Sequence, residues 1–379
     1  MAISRKFKIF SSLLIALLVA ASFWHSQQIE NLVSFNRERL IHKVQGRPPE
    51  WMSTQIQSDL APFSLTGIDS ASLLDFFLDP SHSDHCLALF TVKNGRLFAR
   101  ARENVARSQS FQEVKLALEI LLQTLPVQNC SFLVNLTSPS TTISEPSAIP
   151  ILAFAKKRGV SGPVLVPDSD ALAGHLELKR LVREGAKKYP WRKKMARAFW
   201  RGSAKGDDLA ALQWKGSPRA RVTLLSSEYP ELIDAKFYDL GGASEPAQKE
   251  ILSQALKGPF VTVSEHFKYK YLVDIDGFSC TNKRCFGELY SNSVPLKQES
   301  DSIQWYHSHL KPYIHYIPLK RDLSDLTEKI NWAVNHDGQA KQIAKNGTLF
   351  VEENLAYEDL LLYIYLLLDN YARLQNNNQ

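Results

Sequence analysis

The sequence is poor in cysteine and has no cysteine pattern that would hold a metal. Its 379 residues include four cysteines, which are Cys86, Cys130, Cys280 and Cys285. Their spacing matches neither a CxxC motif nor a zinc-binding pattern. Cys280 and Cys285 are close enough in sequence to form a small disulfide loop in an oxidising compartment, but a chain of this length needs no disulfide. We therefore favour four buried thiols.

The sequence also lacks a nucleic-acid-binding motif, an internal repeat and a long low-complexity tract. Its net charge is +6, but the basic residues are scattered, and the cluster Arg192-Lys193-Lys194 is typical of a solvated helix face. Nucleic acid is therefore not predicted as a partner. The mild positive charge suits an anionic ligand such as a nucleotide diphosphate. With 44% hydrophobic and 22% charged residues, the composition is that of a globular protein large enough for two domains.

Long hydrophobic runs are scarce, and the notable one lies near the N-terminus. Residues Ile9–Trp24 carry no charge and follow a basic segment. A membrane-spanning helix typically needs about 20 residues, so this run fits an uncleaved signal anchor or a signal peptide cleaved near Val19-Ala20-Ala21. We prefer the anchor because two bulky aromatic residues follow that site. The basic flank predicts that the rest of the chain lies across the membrane; the alternative is a peripheral helix on the cytoplasmic face.

Strand-like and helix-like segments alternate along the rest of the chain. Cys86–Val92 reads as a strand with a hairpin turn at Asn94-Gly95, and Phe111–Leu125 reads as a helix before the strand Ser131–Leu136. This alternation predicts an α/β domain with a largely parallel sheet. A second domain is expected to begin near Trp191. Its predicted strands include Tyr271–Asp274, Val294–Lys297 and Tyr313–Pro318, and a last apolar helix, Tyr357–Leu374, is expected to pack on the first domain.

Two small-residue turns of the second domain are candidates for a phosphate site. Arg201-Gly202-Ser203 follows a strand-like aromatic segment, and Asp276-Gly277-Phe278-Ser279 follows a predicted strand, with Arg284 at or near the next helix start. Anions bind where strands end and helix N–H groups are free, and arginine makes bidentate bonds to phosphate. The pair Asp274 and Asp276 matches the DxD pattern of metal-binding sugar transferases, but we interpret both carboxylates as structural.

An ordered series of short segments runs through the second half of the chain. It consists of Lys268-Tyr269-Lys270-Tyr271-Leu272, Asp276-Gly277, Arg284, Ser293-Val294-Pro295-Leu296-Lys297, Trp305-Tyr306, Leu310–Leu319 and Asp322–Leu326, preceded by Pro190–Lys194 and Ala198–Ser203. In this order the segments resemble glycosyltransferase family 90, which includes Rumi-like protein O-glucosyltransferases, capsule-associated xylosyltransferases and lipopolysaccharide-modifying relatives. The resemblance covers roughly Cys86 to Ala372 and is dense from Trp191 onward.

The resemblance implies an α/β fold of the GT-B type, in which two Rossmann-like domains face a cleft and the nucleotide sugar sits on the C-terminal domain. Carried over by position, the donor-binding residues would be Arg201, Gly202, Ser203, Arg219, Gly277, Phe278, Ser279 and Arg284. Arg219 and Arg284 would hold the diphosphate. They would stabilise the leaving group in place of a metal, so no metal or other cofactor is expected.

One position departs from the family pattern. Protein O-glucosyltransferases of the family place a catalytic aspartate just after an N-domain strand, and here that position is Ser138. A serine does not accept the proton of an acceptor hydroxyl at neutral pH without activation. Glu145 is a candidate base, and Asp84 or His85 is another. The remaining alternative is a degenerate site that only binds a nucleotide sugar or glycan.

These inferences divide the chain into five segments. They are a signal anchor or signal peptide (1–25), a stalk and N-terminal extension (26–80), an N-terminal Rossmann-like, acceptor-side domain (81–190), a C-terminal nucleotide-sugar-binding domain (191–350), and a C-terminal helix packing back on the N-terminal domain (351–379).

The predicted function is a metal-independent, inverting glycosyltransferase. It would move a glucose- or xylose-type sugar from a UDP-sugar to a hydroxyl of a glycan, lipopolysaccharide or protein. The alternatives are a degenerate binding protein and a membrane-tethered assembly factor of the same fold. The expected partners are the donor, the acceptor and, through the N-terminal helix, a membrane. The expected location is the ER or Golgi lumen in a eukaryote, or the inner membrane in a bacterium with the domain facing the cytoplasm.

Overall fold

A computed structural model describes residues 35–82, 86–136, 147–205, 214–277 and 279–376. The predicted anchor at residues 1–25 lies outside the described residues, as do Ser138, Glu145, Phe278 and the alternative bases Asp84 and His85. Within the described ranges, no helix combines the length and the apolarity that crossing a bilayer requires.

The first half of the chain forms a mixed sheet of five strands in the order β2-β1-β3-β4-β6. These strands are β1 Leu87–Lys93, β2 Arg96–Ala101, β3 Cys130–Asn135, β4 Ile151–Ala153 and β6 Pro163–Leu165. The predicted hairpin between β1 and β2 is confirmed, with Asn94 and Gly95 at φ values of 52° and 72°, which suit the twist of antiparallel strands. β3, β4 and β6 are parallel to one another.

Helices cover this first sheet. They are α1 Arg37–Gln45, α2 Glu50–Leu60, α3 Ser70–Leu78, α4 Glu103–Ala106, α5 Gln109–Thr124, α6 Ser169–Leu172 and α7 Leu176–Lys188. The main covering helix, α5, begins after Ser108, whose Oγ accepts a hydrogen bond from the Phe111 N–H. It buries Phe111, Val114, Leu118 and Leu121, whose spacing places them on one face.

The segment interpreted as a stalk belongs to the first core from residue 35 onward. α2 buries Met52, Ile56 and Leu60 against the sheet and its covering helices. Asp59, also on α2, is buried between the Lys156 ammonium and the Leu165 N–H, at 2.5 and 2.9 Å. The stalk prediction is therefore wrong for residues 35–80. The apolar residues of α2 recur on one face of the helix and pack on the core, whereas a solvated stalk has no such buried face.

The second half forms a parallel sheet of five strands in the order β12-β10-β9-β7-β8. These strands are β7 Met195–Ser203, β8 Ile233–Asp239, β9 Tyr269–Asp274, β10 Val294–Gln298 and β12 Ile317–Leu319. β10 is buried along its whole length, as expected of a parallel strand covered on both faces. The α/β prediction with parallel sheets is thus confirmed.

Two local predictions in this half are wrong. Arg201-Gly202-Ser203 is the last part of β7 and not a turn, because its backbone pairs with β8 up to Ser203. Tyr313–Tyr316 is a turn before the short β12, closed by the Tyr313 N–H donating to the Tyr316 carbonyl. A left-handed Tyr313, with φ of 59°, is incompatible with an extended strand at this point.

The remaining helices cover the second sheet and return to the first. They are α8 Pro218–Glu228, α9 Glu245–Ser253, α10 Val263–His266, α11 Lys283–Tyr290, α12 Leu326–Asn335, α13 Asp337–Asn354 and α14 Tyr357–Asn376. α14 packs on the first sheet, where the Gln375 side chain bonds to both the N–H and the carbonyl of Ser131. A small ladder between β5 Lys156–Lys157 and β11 Ser302–Ile303 also joins the two halves.

Candidate active site

The strand order of the second sheet creates a crevice between β7 and β9. The chain passes from β7 to β8 on one side, and then crosses to β9, β10 and β12 on the other side. At such a switch point the loops that leave neighbouring strands diverge, and ligands bind beyond the carboxyl ends of the strands. Ser203 ends β7 and Asp274 ends β9, so both predicted small-residue segments lie at this crevice.

Arg219 lies across the crevice and joins its two sides. It stands in the first turn of α8, and its Nη1 donates to the Ser203 carbonyl at 2.9 Å while its Nε donates to the Asp276 carbonyl at 2.8 Å. Burial and the neighbouring Arg284 lower the pKa of the Arg219 guanidinium to about 10. It remains charged at neutral pH, so the crevice holds a partly desolvated cation of the kind that can bind phosphate.

Gly277 permits this placement of the arginine. A Cβ atom at position 277 would lie 2.7 Å from Nη2 of Arg219. The Gly277 N–H donates to the Ser279 carbonyl, which folds the loop after β9 back on itself. A side chain at position 277 would therefore force the Arg219 guanidinium to shift.

Arg284 is the second residue of α11 and faces the same crevice. Its Nη2 donates to the Arg201 carbonyl at 2.7 Å. Asn282, the residue before α11, makes no side-chain hydrogen bond to the first turn of the helix, which leaves that turn free of a side-chain cap. A helix N-terminus beside a guanidinium is a favourable place for an anion.

Arg201 and Gly202 make contacts within the protein, and their binding to the donor stays a prediction. The Arg201 guanidinium is 8% exposed and donates to Oδ1 of Asp234 at 2.7 Å and to the Trp200 carbonyl at 3.0 Å. A Cβ at position 202 would lie 2.3 Å from the Trp200 ring. Arg201 thus orients Arg284 through its carbonyl, and Gly202 makes room for a tryptophan.

A pocket of about 360 Å³ opens beside these residues, and we call it the arginine pocket. It is lined by Asp170, Ser203, Lys205, Arg219, Gly277, Ser279, Cys280, Thr281, Asn282, Lys283 and Arg284. The structure therefore brings five of the predicted donor residues together, namely Ser203, Arg219, Gly277, Ser279 and Arg284. Lys205 and Lys283 were missed by sequence reasoning, although each lies within two residues of a predicted position.

A larger cavity, which we call the cleft, adjoins the arginine pocket and has a volume of about 680 Å³. Asp170, Lys283 and Arg284 line both spaces. The second half contributes Arg201, Tyr238, Phe260 and His266, among others, while α5 of the first half contributes Gln109 and Glu113. The cleft therefore lies between the two halves of the molecule.

Two carboxylates of the first half face the cationic side of the cleft. Glu113 accepts a hydrogen bond from Gln109 at 2.7 Å, and burial raises the pKa of the Glu113 carboxyl. Asp170 lies 3.4 Å from the Lys283 ammonium. Asp170 follows a predicted strand and could have been found in the sequence, whereas Glu113 lies within an ordinary helical run that carries no signal.

Glu288 is a buried carboxyl on the opposite wall, one turn of α11 beyond Arg284. Burial raises the pKa of Glu288 well above its usual range, and its Oε2 has no hydrogen-bond partner in the described part of the chain. The same wall carries His266, whose pKa burial lowers to about 4. The second-half side of the cleft thus presents a neutral imidazole and a carboxyl that favours its protonated form.

The DxD pair is engaged in contacts within the protein. Asp274 is 1% exposed, and its carboxylate accepts a hydrogen bond from Thr281 and one from the Lys297 ammonium at 2.8 Å. Asp276 accepts a hydrogen bond from the Ser300 hydroxyl. No group of three His, Cys, Asp or Glu side chains within the described ranges is arranged to hold a metal ion.

Comparison with known proteins agrees with the earlier resemblance. The model of glycosyl transferase family 90 matches residues 47–379. Protein O-glucosyltransferase 3 of Rattus norvegicus is 31% identical over 301 residues, which cover 76% of this chain and 54% of that protein. Protein O-glucosyltransferase 2 of Danio rerio is 26% identical over 332 residues, covering 85% of this chain and 62% of the other. The chain thus spans a little over half the length of these relatives.

Among solved structures, a glycosyltransferase from Rickettsia africae ESF-5 superposes with a TM-score of 0.35 at 10% identity, covering 59% of this chain and 57% of that one. The family assignment does not depend on this weak likeness. Because the family model matches most of the chain, the protein belongs to glycosyl transferase family 90.

Proposed function

We propose that this chain is a metal-independent, inverting glycosyltransferase of GT-B architecture with a UDP-sugar as its donor. One observation carries the proposal. Arg219 and Arg284, with Lys205 and Lys283 beside them, surround a pocket at the crevice between β7 and β9. The pocket opens into a cleft between the two halves, where an acceptor can approach the donor.

The four cations suit the diphosphate of the donor. Charge builds up on the diphosphate as its bond to the sugar breaks, and preorganised cations stabilise that charge in the transition state. Arg219 is held in place by two backbone carbonyls, so little reorganisation is needed. Its remaining N–H groups are available to phosphate oxygens in the fork geometry that guanidinium provides.

The proposed transfer is a single displacement. The acceptor hydroxyl oxygen forms a bond to the anomeric carbon, the bond from that carbon to the diphosphate oxygen breaks, and UDP leaves with the electron pair. The hydroxyl proton passes to a carboxylate. Glu145 is our first candidate for this base and Ser138 takes the place of the family's aspartate. Of the described carboxylates, Glu113 is the alternative, since its raised pKa favours proton uptake.

The engaged DxD pair supports a mechanism without a metal. Asp274 is paired with Lys297 in a buried position, and a metal would have to displace that ammonium. The arginine pocket supplies positive charge that can stabilise a diphosphate without a divalent ion. We expect turnover to persist in the presence of a chelator, and its complete loss would overturn this part of the proposal.

The relatives' names inform the choice of sugar and acceptor. They are called protein O-glucosyltransferases, which supports a glucose donor and a hydroxyl acceptor on a protein. A xylose-type donor and a glycan or lipopolysaccharide acceptor are the alternatives that the family resemblance leaves open. We further propose a single-pass N-terminal anchor, in the ER or Golgi membrane of a eukaryote or the inner membrane of a bacterium. Protease protection of the body in sealed membranes tests this placement.

The central experiment is UDP release from UDP-glucose and UDP-xylose by the full chain, with Arg284→Ala, Glu145→Gln and the exposed control Arg373→Ala. Loss of one charge-stabilising group typically lowers kcat by about 100- to 1000-fold. We expect this loss for Arg284→Ala and an unchanged kcat for Arg373→Ala. Glu145→Gln should be equally slow if Glu145 is the base. Donor binding without turnover in the parent protein would favour a degenerate binder, and absence of donor binding would overturn both functions.

A further inference from the structure

A second group of cations lies on the first half of the molecule, away from the arginine pocket. Arg39 on α1 and Lys179, Arg180 and Arg183 on α7 line a cavity of about 460 Å³, which we call the basic pocket. Its remaining lining residues are Asn36, Leu176, Glu184, Ala356, Tyr357 and Glu358. Four cations thus share one space with two carboxylates.

Both carboxylates are engaged in other contacts. Glu184 accepts a hydrogen bond from Arg180 at 2.6 Å, and Arg180 is held on its other side by Glu177. Glu358 accepts a hydrogen bond from the backbone N–H of Asn36 at 2.8 Å. Within the described ranges, Arg39, Lys179 and Arg183 form no ion pair.

Lys179 is held in this group at a cost in free energy. Burial and the nearby Arg183 lower the pKa of Lys179, and Glu358 only partly opposes them. The ammonium lies 5.8 Å from the centre of the Phe286 ring. Like charges gathered around a partly desolvated lysine are stabilised when an anion enters.

The basic pocket borders the cleft. Leu176 lines both cavities. The next residue back along the chain, His175, lines the cleft and packs on Phe286 with 4.1 Å between ring centres. Asp170, Lys283 and Arg284 line both the cleft and the arginine pocket, whereas the basic pocket shares Leu176 with the cleft. An extended ligand whose reacting hydroxyl lies in the cleft would therefore reach the basic pocket with its distal part.

We propose that the basic pocket binds an anionic group of the acceptor, either a carboxylate or a phosphate. This inference rests on the proposed transfer function, because it assigns the acceptor to the cleft. The shared chemistry is a compact oxyanion held by Arg39, Lys179 and Arg183. The proposal narrows the acceptor from any hydroxyl compound to one that also carries a carboxylate or a phosphate.

Three probes that share one aglycone and one ring configuration, and differ only at C6, test the proposal. They are an aryl β-glucoside, the matching aryl β-glucuronide and the aryl β-glucoside 6-phosphate, titrated calorimetrically into the full chain in detergent with UDP present. Charge-assisted hydrogen bonds predict that at least one charged probe binds about 10-fold more tightly than the neutral one. If the glucuronide binds most tightly, the anionic group of the acceptor is a carboxylate. If the phosphate ester binds most tightly, that group is a phosphate.

Variants distinguish binding in the basic pocket from a general attraction of anions to the positively charged surface. Arg183→Gln and Lys179→Gln should each remove most of the preference for the charged probe, and Lys187→Gln, an exposed position on the same helix, should keep it. Equal affinity for the three probes, or an equal effect of Lys187→Gln, would overturn the proposal. The Kd for UDP is measured in parallel: a parent that binds charged probes but not UDP contradicts the transfer function and leaves the pocket standing.

Discussion

At the scale of single residues, the close contact between Gly277 and the Arg219 guanidinium can be tested by substitution. Gly277→Ala places a methyl group 2.7 Å from Nη2 of Arg219, so the guanidinium must move from its two carbonyl partners. We expect the Kd for UDP to rise about 10-fold through loss of a charge-assisted contact, measured by calorimetry. Gly338→Ala is the control, because no heavy atom lies within 4 Å of its added Cβ. An unchanged Kd in Gly277→Ala would contradict the proposal that Arg219 contacts the diphosphate.

Asp168 makes a second prediction at this scale, on pH and stability. It precedes α6 and accepts the Ala171 N–H, and burial raises its pKa to about 6. A carboxyl whose pKa is higher in the folded state contributes stability below its unfolded pKa, and that contribution is lost as pH rises through about 6. Asp168→Asn should therefore be more stable than the parent at pH above about 7, by about 1 to 3 kcal/mol, in thermal or chemical unfolding.

The control for Asp168 is another residue that precedes a helix. Asp69 accepts hydrogen bonds from the Ser72 side chain and backbone, which lower its pKa. Its contribution to stability is present above the unfolded pKa and lost as pH falls through the lower folded pKa, so Asp69→Asn should change stability in the opposite direction at neutral pH. The same sign for both variants would show that burial does not control Asp168.

Site residues could be predicted from the sequence when a motif marked them, but their contacts with distant parts of the chain could not. Arg219, Gly277 and Arg284 were predicted from a motif order, and the structure gathers them in one pocket. Arg201 was predicted for the same site, but its ion pair with Asp234 joins neighbouring strands. Such a partner is set by sheet order, which a linear motif does not contain.

At the scale of elements, the Asp59 contact fixes α2 to the first sheet. The side chain of Asp59 is fully buried and Lys156 is its ion-pair partner. Lys156→Met leaves a buried carboxylate without its partner, and we expect a loss of about 3 to 5 kcal/mol in the free energy of unfolding. The control is Lys115→Met, which removes an exposed pair with Glu119 and should cost less than about 1 kcal/mol. Similar losses in denaturant titrations would contradict the role given to α2.

Element types were more predictable than element ends. The periodicity of α5 and the turn at Asn94-Gly95 are local signals, and both elements formed where expected. β7 continued through Arg201-Gly202-Ser203 because β8 supplies hydrogen-bond partners along its edge. The assignment of residues 35–80 failed for a similar reason, since only the assembled first core explains why α2 is buried.

At the scale of the whole molecule, the cleft has walls of opposite charge. Asp170 on the first half faces Lys283 on the second at 3.4 Å, and a diphosphate would compete with this carboxylate for the same cation. Asp170→Asn should therefore tighten UDP binding by about 2- to 5-fold at low salt, with a smaller gain at high salt because exposed charges are screened. The exposed control Asp75→Asn should leave the Kd unchanged. Weaker binding in Asp170→Asn would mean that the carboxylate contacts the donor itself.

The closure of the first core by α14 has a consequence for biosynthesis. The sheet of the first half is translated early, but Tyr363, Leu367 and Tyr371, which complete its core, leave the ribosome only after the entire second sheet. Until α14 is synthesised, the first sheet therefore has an uncovered apolar face. By then all strands of the second sheet have already been synthesised. A ribosome-bound chain should accordingly acquire protease resistance in its later half first, and a chaperone that shields apolar surface would act on the earlier one.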